Sequence, residues 1–126
     1  SSDIVVADYN GNSVNVLLGN GGSSFRKPMG GGTIALGAGS QPTAVLVGDF
    51  VTDGRAALDL AVGTAGGRDV RIFAGQGNGV FDAPTTWLSS AGAICALIAG
   101  DFNSDGKQDL IALESTSSRL NVLLAP

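Results

Sequence analysis

The chain has no histidine and a single cysteine among its 126 residues. Without histidine, Ser-His-Asp and Cys-His catalytic arrangements cannot be built, and a zinc site lacks its commonest ligand. One cysteine excludes an internal disulfide framework. Cys95 lies in an apolar run with no base to activate it, and it reads as a buried structural thiol. Basic residues are also scarce: seven Lys and Arg stand against eleven Asp and Glu, for a formal net charge of −4. No basic patch is available for nucleic acid. No apolar run approaches the ~20 residues that span a bilayer. The N-terminus does not read as a signal peptide and starts inside a repeat, so any targeting segment is expected to precede it. Aromatic residues make up only 6%, with one Trp and one Tyr, which leaves few surfaces for stacking a sugar. Trp87 reads as packing. The run Gly75-x-Gly77-x-Gly79 leads to a turn and a polar strand rather than a helix, so it is not a phosphate cradle. The chain is expected not to be an enzyme.

What the chain has in quantity is glycine, 20 residues clustered in turns, and 44% hydrophobic residues, the composition of a globular protein with many short strands. Its most informative segment is Asp101-Phe102-Asn103-Ser104-Asp105-Gly106-Lys107-Gln108-Asp109. Side-chain oxygens stand at positions 1, 3, 5 and 9 of this loop, and glycine stands at position 6, where the chain turns. Alternate positions of a tight loop can converge on one point, and calcium takes several oxygen ligands at about 2.3–2.6 Å. An EF-hand needs a bidentate Glu at position 12 and flanking helices. Here position 12 is Ala112, and the flanks Ile94–Gly100 and Leu110–Leu113 are short apolar runs that read as strands. Close carboxylates within such a loop fit calcium better than glycosidase chemistry.

The loop recurs. Gly48-Asp49-Phe50-Val51-Thr52-Asp53-Gly54-Arg55 aligns with Gly100-Asp101-Phe102-Asn103-Ser104-Asp105-Gly106-Lys107. Asp3-Ile4-Val5-Val6 and Asp59-Leu60-Ala61-Val62 both align with Asp109-Leu110-Ile111-Ala112. The following strand also recurs, at Val14–Leu18, Val70–Ala74 and Leu120–Leu124. One unit of about 50 residues therefore reads as inner strand, Asp-rich loop, strand, polar turn, strand, Gly-rich turn and outer strand. Turns such as Asn10-Gly11-Asn12 supply positive φ for tight hairpins. Ala44–Val47 and Ile94–Ala99, apolar on both faces, are expected to be innermost strands buried on both sides. Ala83–Trp87, more polar and carrying Pro84, is expected at the outer edge.

Over essentially its whole length the chain resembles the FG-GAP/VCBS repeat family, the calcium-loop blades also found in the integrin α-subunit head. Gly100–Leu110 follows one half of that family's pattern, and Gly75-Gln76-Gly77-Asn78-Gly79-Val80-Phe81 follows the other. The resemblance implies an all-β fold of β-propeller blades in a partial ring, about two and a half four-stranded antiparallel blades within one domain spanning 1–126. The units run approximately over 1–40, 41–91 and 92–126, with about ten strands and only the middle unit complete. It also implies Ca2+ ligands at Asp101, Asn103, Asp105 and Asp109 with the Lys107 carbonyl, and a second set at Asp49, Asp53, Asp59 and the Arg55 carbonyl. In the second set Val51 removes a ligand, and Ala56 and Ala57 lengthen the approach to Asp59. Asp3 is expected to be a structural remnant of such a loop. The implied function is a non-enzymatic adhesion or protein-interaction module, secreted or at the cell surface, whose ligand is a protein or a glycan. A lectin of integrin-like propeller type, or a scaffold segment of a larger secreted protein, are the alternatives. An open arc exposes apolar faces, so a homo-oligomer or a fragment of a larger propeller is expected.

Overall fold

The computed structural model describes residues 2–126. Thirteen strands follow in order: β1 (Ile4–Asp8), β2 (Ser13–Gly19), β3 (Phe25–Arg26), β4 (Thr33–Ala35), β5 (Pro42–Gly48), β6 (Asp59–Thr64), β7 (Asp69–Phe73), β8 (Gly75–Gly77), β9 (Val80–Phe81), β10 (Thr85–Ser89), β11 (Ile94–Gly100), β12 (Asp109–Glu114) and β13 (Leu120–Leu123). Among the described residues there is no helix, and every strand pairing is antiparallel. The fold is all-β, built of separate propeller-like blades that close no barrel.

The middle blade is complete, in the order β10-β7-β6-β5. The first blade pairs β1 with β2, and β2 with both β3 and β4. The third is β11-β12-β13. More strands form than the ten expected, for two reasons. The outer part of the first unit is split into β3 and β4 by the Gly30-Gly31-Gly32 turn, and the Gly-rich turn of the second unit makes its own hairpin. In that hairpin Asn78 and Gly79 take φ of 57° and 74°, the handedness that suits a two-residue connection between twisted strands.

The polar turns between the second and third strands of each unit share one backbone device. Asn12, Arg68 and Ser118 occupy equivalent positions and have φ of 52°, 55° and 53°. The left-handed residue in the first turn is thus Asn12, not Gly11.

One expectation about burial is corrected. The first strand of a unit is not its most buried: β5 is mostly half-buried, with Thr43 and Val47 exposed, whereas all six residues of β6 are buried. The strand order explains this, since β5 is an edge of its sheet and β6 has a hydrogen-bonded neighbour on each side. Apolar composition marks both kinds of strand, and only position in the sheet separates them. Cys95 is corrected for the same reason. It lies on edge strand β11 and is exposed, with its Sγ 3.5 Å from the Leu113 carbonyl.

The blades pack face to face through two clusters. Val14 and Leu36 of the first blade, with Val5 and Ile34, meet Leu60, Val62 and Phe73 of the second. Ala61, Val70 and Ile72 of the second, with Phe50, meet Leu97, Leu110 and Ala112 of the third. Trp87 packs edge-on against Phe50, with ring centroids 6.4 Å apart at 78°. No helix is long and apolar enough to cross a membrane among the described residues.

Candidate metal-binding loops

Each Gly-Asp-Phe segment leaves the end of a first strand and folds back on itself. A Cβ on Gly48 would lie 2.8 Å from Cζ of Phe50, and one on Gly100 would lie 3.0 Å from Cζ of Phe102. At both positions the ring two residues later leaves little room for a side chain, and at Gly48 Gln108 Oε1 approaches as well.

The loop after β11 is held by side chains accepting from its own backbone. Asp101 Oδ1 accepts the Asp105 N–H at 3.1 Å, and its Oδ2 accepts that of Gly106 at 2.9 Å. Asn103 Oδ1 accepts the same Asp105 N–H at 3.2 Å, and Asp105 Oδ1 accepts the Lys107 N–H at 2.9 Å. Left-handed backbone at Ser104 (φ 61°) and Gly106 (φ 83°) turns alternate residues inward. As a result Asp101, Asp105 and Asp109 bring carboxylate oxygens within 4.8 Å of one another, and the three can hold a metal ion. Asn103 belongs to the same pocket, since its Nδ2 donates to Asp105 Oδ2 at 3.1 Å. The Lys107 amide holds the Asp105 carboxyl below its ordinary range, with Asn103 adding to the effect. That carboxyl is thereby kept ionised. The donor set is all oxygen and mostly anionic, which fits a hard divalent cation.

The equivalent loop after β5 is arranged differently. Asp49, Asp53 and Asp59 form no such cluster among the described residues. Asp53 Oδ1 accepts the Arg55 N–H at 2.9 Å, and its Oδ2 lies 3.5 Å from Arg55 Nε. The Arg55 guanidinium continues to Asp82, 2.7 Å away on Oδ2. Their hydrogen bond raises the Arg55 pKa and, with a further bond from Gln76, lowers that of Asp82. A side-chain cation already sits beside the acidic group of this loop. In the other loop Lys107 turns away, its Nζ donating to the Pro126 carbonyl at 2.7 Å. The two loops also touch, as the exposed Asp49 gives its N–H to Gln108 Oε1 at 2.8 Å.

The last Asp of each unit has a structural role that spacing within one loop did not reveal. Asp59 is buried at 1% exposure. Its Oδ2 accepts the N–H groups of Phe50 and Val51, both at 2.8 Å, and its Oδ1 accepts that of Gly75 at 2.9 Å. Asp109, at 0% exposure, repeats the pattern with Phe102 (3.0 Å) and Ala125 (2.8 Å). Asp3 accepts the N–H of Gly19 at 2.9 Å, the structural part expected of it. In all three units the acceptor and the strand-end donor are separated by 16 residues. That shared separation was the available signal. Asp109 therefore ties the loop to the end of β13 and also faces the acidic pocket; each of its oxygens has a second lone pair left for a cation.

A cavity of about 510 Å³ lies between the first two blades, lined mainly by Val5, Val16, Leu18, Val47, Leu58 and Phe81, with Asp3 at its edge. Its walls are apolar, and they offer few of the convergent polar groups that orient a sugar.

Residues 56–112 match the family model described as an FG-GAP-like repeat. No curated protein matches the chain. The matched span starts at the end of the loop after β5 and takes in β6 to β11, the Asp101–Asp109 loop and the first residues of β12. That span is therefore similar to an FG-GAP-like repeat, in keeping with the propeller-like blades of the fold.

Proposed function

We propose that the chain is a non-enzymatic, calcium-stabilised interaction module that acts in adhesion outside the cell. The observation that carries this reading is the convergence of Asp101, Asp105 and Asp109 within 4.8 Å in a loop whose backbone amides hold them in place. Three carboxylates this close repel one another, and a divalent cation relieves the repulsion. Asp101, Asn103, Asp105 and Asp109 would hold calcium through side-chain oxygens, with the Lys107 carbonyl as a further ligand. The cation would fix the loop joining β11 to β12 and, through Asp109, the end of β13. Millimolar calcium outside cells suits a weak exposed site of this kind. The loop after β5 contributes less, because Arg55 already neutralises Asp53.

Thermal unfolding with calcium and with chelator tests the reading. For a dissociation constant of ~0.1 mM, millimolar calcium adds roughly 1.5 kcal/mol by mass action. The melting temperature rises with calcium and returns with chelator. Identical melting in both conditions, together with no heat of binding, would exclude calcium as the stabilising ion.

A further inference from the structure

Asn10, Asn20 and Asn78 are each followed by glycine. Glycine leaves the next backbone nitrogen uncrowded by a side chain, so that nitrogen can attack the asparagine's own Cγ. All three asparagines are exposed, and exposure does not separate them. Their backbones do.

At Asn10 the attacking nitrogen is occupied. The Gly11 N–H donates to Asp8 Oδ1 at 2.8 Å. Attack requires that nitrogen to lose its proton, and a carboxylate against it opposes the negative charge that results. At Asn78 the nitrogen is turned away. Asn78 has φ of 57°, and left-handed backbone pairs this with ψ of about 47°. That ψ sets the Gly79 nitrogen nearly opposite Cβ across the Cα–C bond. Rotation is blocked as well, because Gly79 is wedged against the first blade. A Cβ there would lie 2.9 Å from Cβ of Pro28 and 3.0 Å from Cδ2 of Leu18.

Asn20 has neither protection. Among the described residues the Gly21 N–H has no acceptor, and Asn20 is not left-handed. Its Nδ2 donates to Ser24 Oγ at 3.2 Å, an exposed bond that water replaces at little cost. Gly21 and Gly22 take φ of 79° and 80°, and a Cβ on either would meet nothing within 4 Å. The loop has room to close a ring. The equivalent loop of the middle blade, which has a blade on each side, is as open: Gln76 is exposed, and a Cβ on Gly77 meets nothing within 4 Å.

We propose that Asn20 is a site of spontaneous deamidation, the one position of the three that the fold leaves reactive. The Gly21 nitrogen gives its proton to water or hydroxide and bonds to Asn20 Cγ; the Cγ–Nδ2 bond breaks and ammonia leaves. Water then opens the five-membered imide at either carbonyl, giving aspartate or isoaspartate. Nothing is oxidised or reduced. The product adds a negative charge next to Gly19, whose N–H Asp3 accepts at 2.9 Å. Calcium plays no part in it.

The test is ageing of the 126-residue chain at mildly alkaline pH, with peptide mapping by tandem mass spectrometry. The same chain unfolded in guanidinium chloride is the reference. Unfolded, the three asparagines convert at similar rates, since each has the same neighbour. Folded, Asn20 converts first, and Asn10 lags by roughly tenfold or more, the cost of giving up a hydrogen bond to a charged group. An acidic species gathers in parallel on ion exchange. It is absent from Asn20→Gln, whose longer side chain closes the ring far more slowly. Asp8→Ala frees the Gly11 amide and brings Asn10 within a few-fold of Asn20; an unchanged Asn10 in that variant would overturn the protection assigned to Asp8. Folded rates led by Asn10 or Asn78, three folded rates alike, or no change at Asn20 over a time in which the unfolded chain converts would each overturn the proposal.

Discussion

Removing the Asp59 carboxylate is expected to destabilise the fold more than any other single acidic substitution in its loop. The side chain is 1% exposed and accepts three backbone N–H groups at 2.8, 2.8 and 2.9 Å, two at the start of its own loop and one at Gly75, the first residue of β8. Asp59→Ala leaves all three donors without that acceptor. Each abandoned buried donor costs about 1–3 kcal/mol, and water entering the vacated space recovers part of this. A loss of about 3–5 kcal/mol follows, a large share of the 5–15 kcal/mol typical of a domain. At roughly 4 °C per kcal/mol for a chain of this size, the melting temperature falls by about 12–20 °C. Asp59→Asn keeps one acceptor oxygen but sets its amide against a backbone N–H, and falls between. Asp49→Ala is the control, because its exposed carboxylate carries no hydrogen bond; it changes stability by no more than about 0.5 kcal/mol. Urea unfolding with chelator present separates this effect from any bound ion. If Asp59→Ala lost less than about 1 kcal/mol, or no more than Asp49→Ala, the carboxylate would not be the tie between loop and strand.

Three further outcomes are expected. Asp105→Ala abolishes the stronger calcium site while Asp53→Ala leaves it intact, as isothermal titration measures; the reverse order would refute the ranking of the loops. Glu114, buried at the end of β12, accepts from the Ser117 and Ser90 hydroxyls and from Asn121, and the hydroxyl bonds, Ser117 first, depress its pKa. A depressed carboxyl stabilises the fold above its unfolded pKa of about 4.3 and loses that contribution as pH falls through the folded value. Glu114→Gln therefore flattens the acid limb of stability measured by urea unfolding between pH 5 and pH 2, and an unchanged limb would count against it. Gly48→Ala drives a methyl group against Gln108 Oε1 and the Phe50 ring and costs about 1–3 kcal/mol by overpacking; a neutral result in thermal melting would show that both side chains move aside freely.

The repeat, the strands and the completeness of the middle blade were legible because glycine turns and apolar runs recur in register along the chain. The acidic cluster was legible too, since side chains at alternate positions of a tight loop must converge. What stayed hidden depended on neighbours in space. Ala44–Val47 and Leu60–Val62 are equally apolar, and only the strand order makes the second run the buried centre. Cys95 is exposed because its strand is an edge, a fact its apolar flanks conceal. Asp59 and Asp109 resemble the other loop acids in sequence. Their role as amide acceptors appears only when the end of a strand 16 residues away is brought beside them. Arg55 matches Lys107 by position, yet one side chain turns toward its loop's acids and the other away.

Asp101, Asn103, Asp105 and Asp109 are expected to converge on one cation. The direct measurement is anomalous scattering from a crystal of the chain grown in millimolar calcium. A single strong peak is expected in that loop, at about 2.3–2.6 Å from carboxylate oxygens of Asp101 and Asp105, and a weaker peak or none beside Asp53 and Arg55. A loop without a peak at saturating calcium, or a peak beside Asp53 alone, would contradict it.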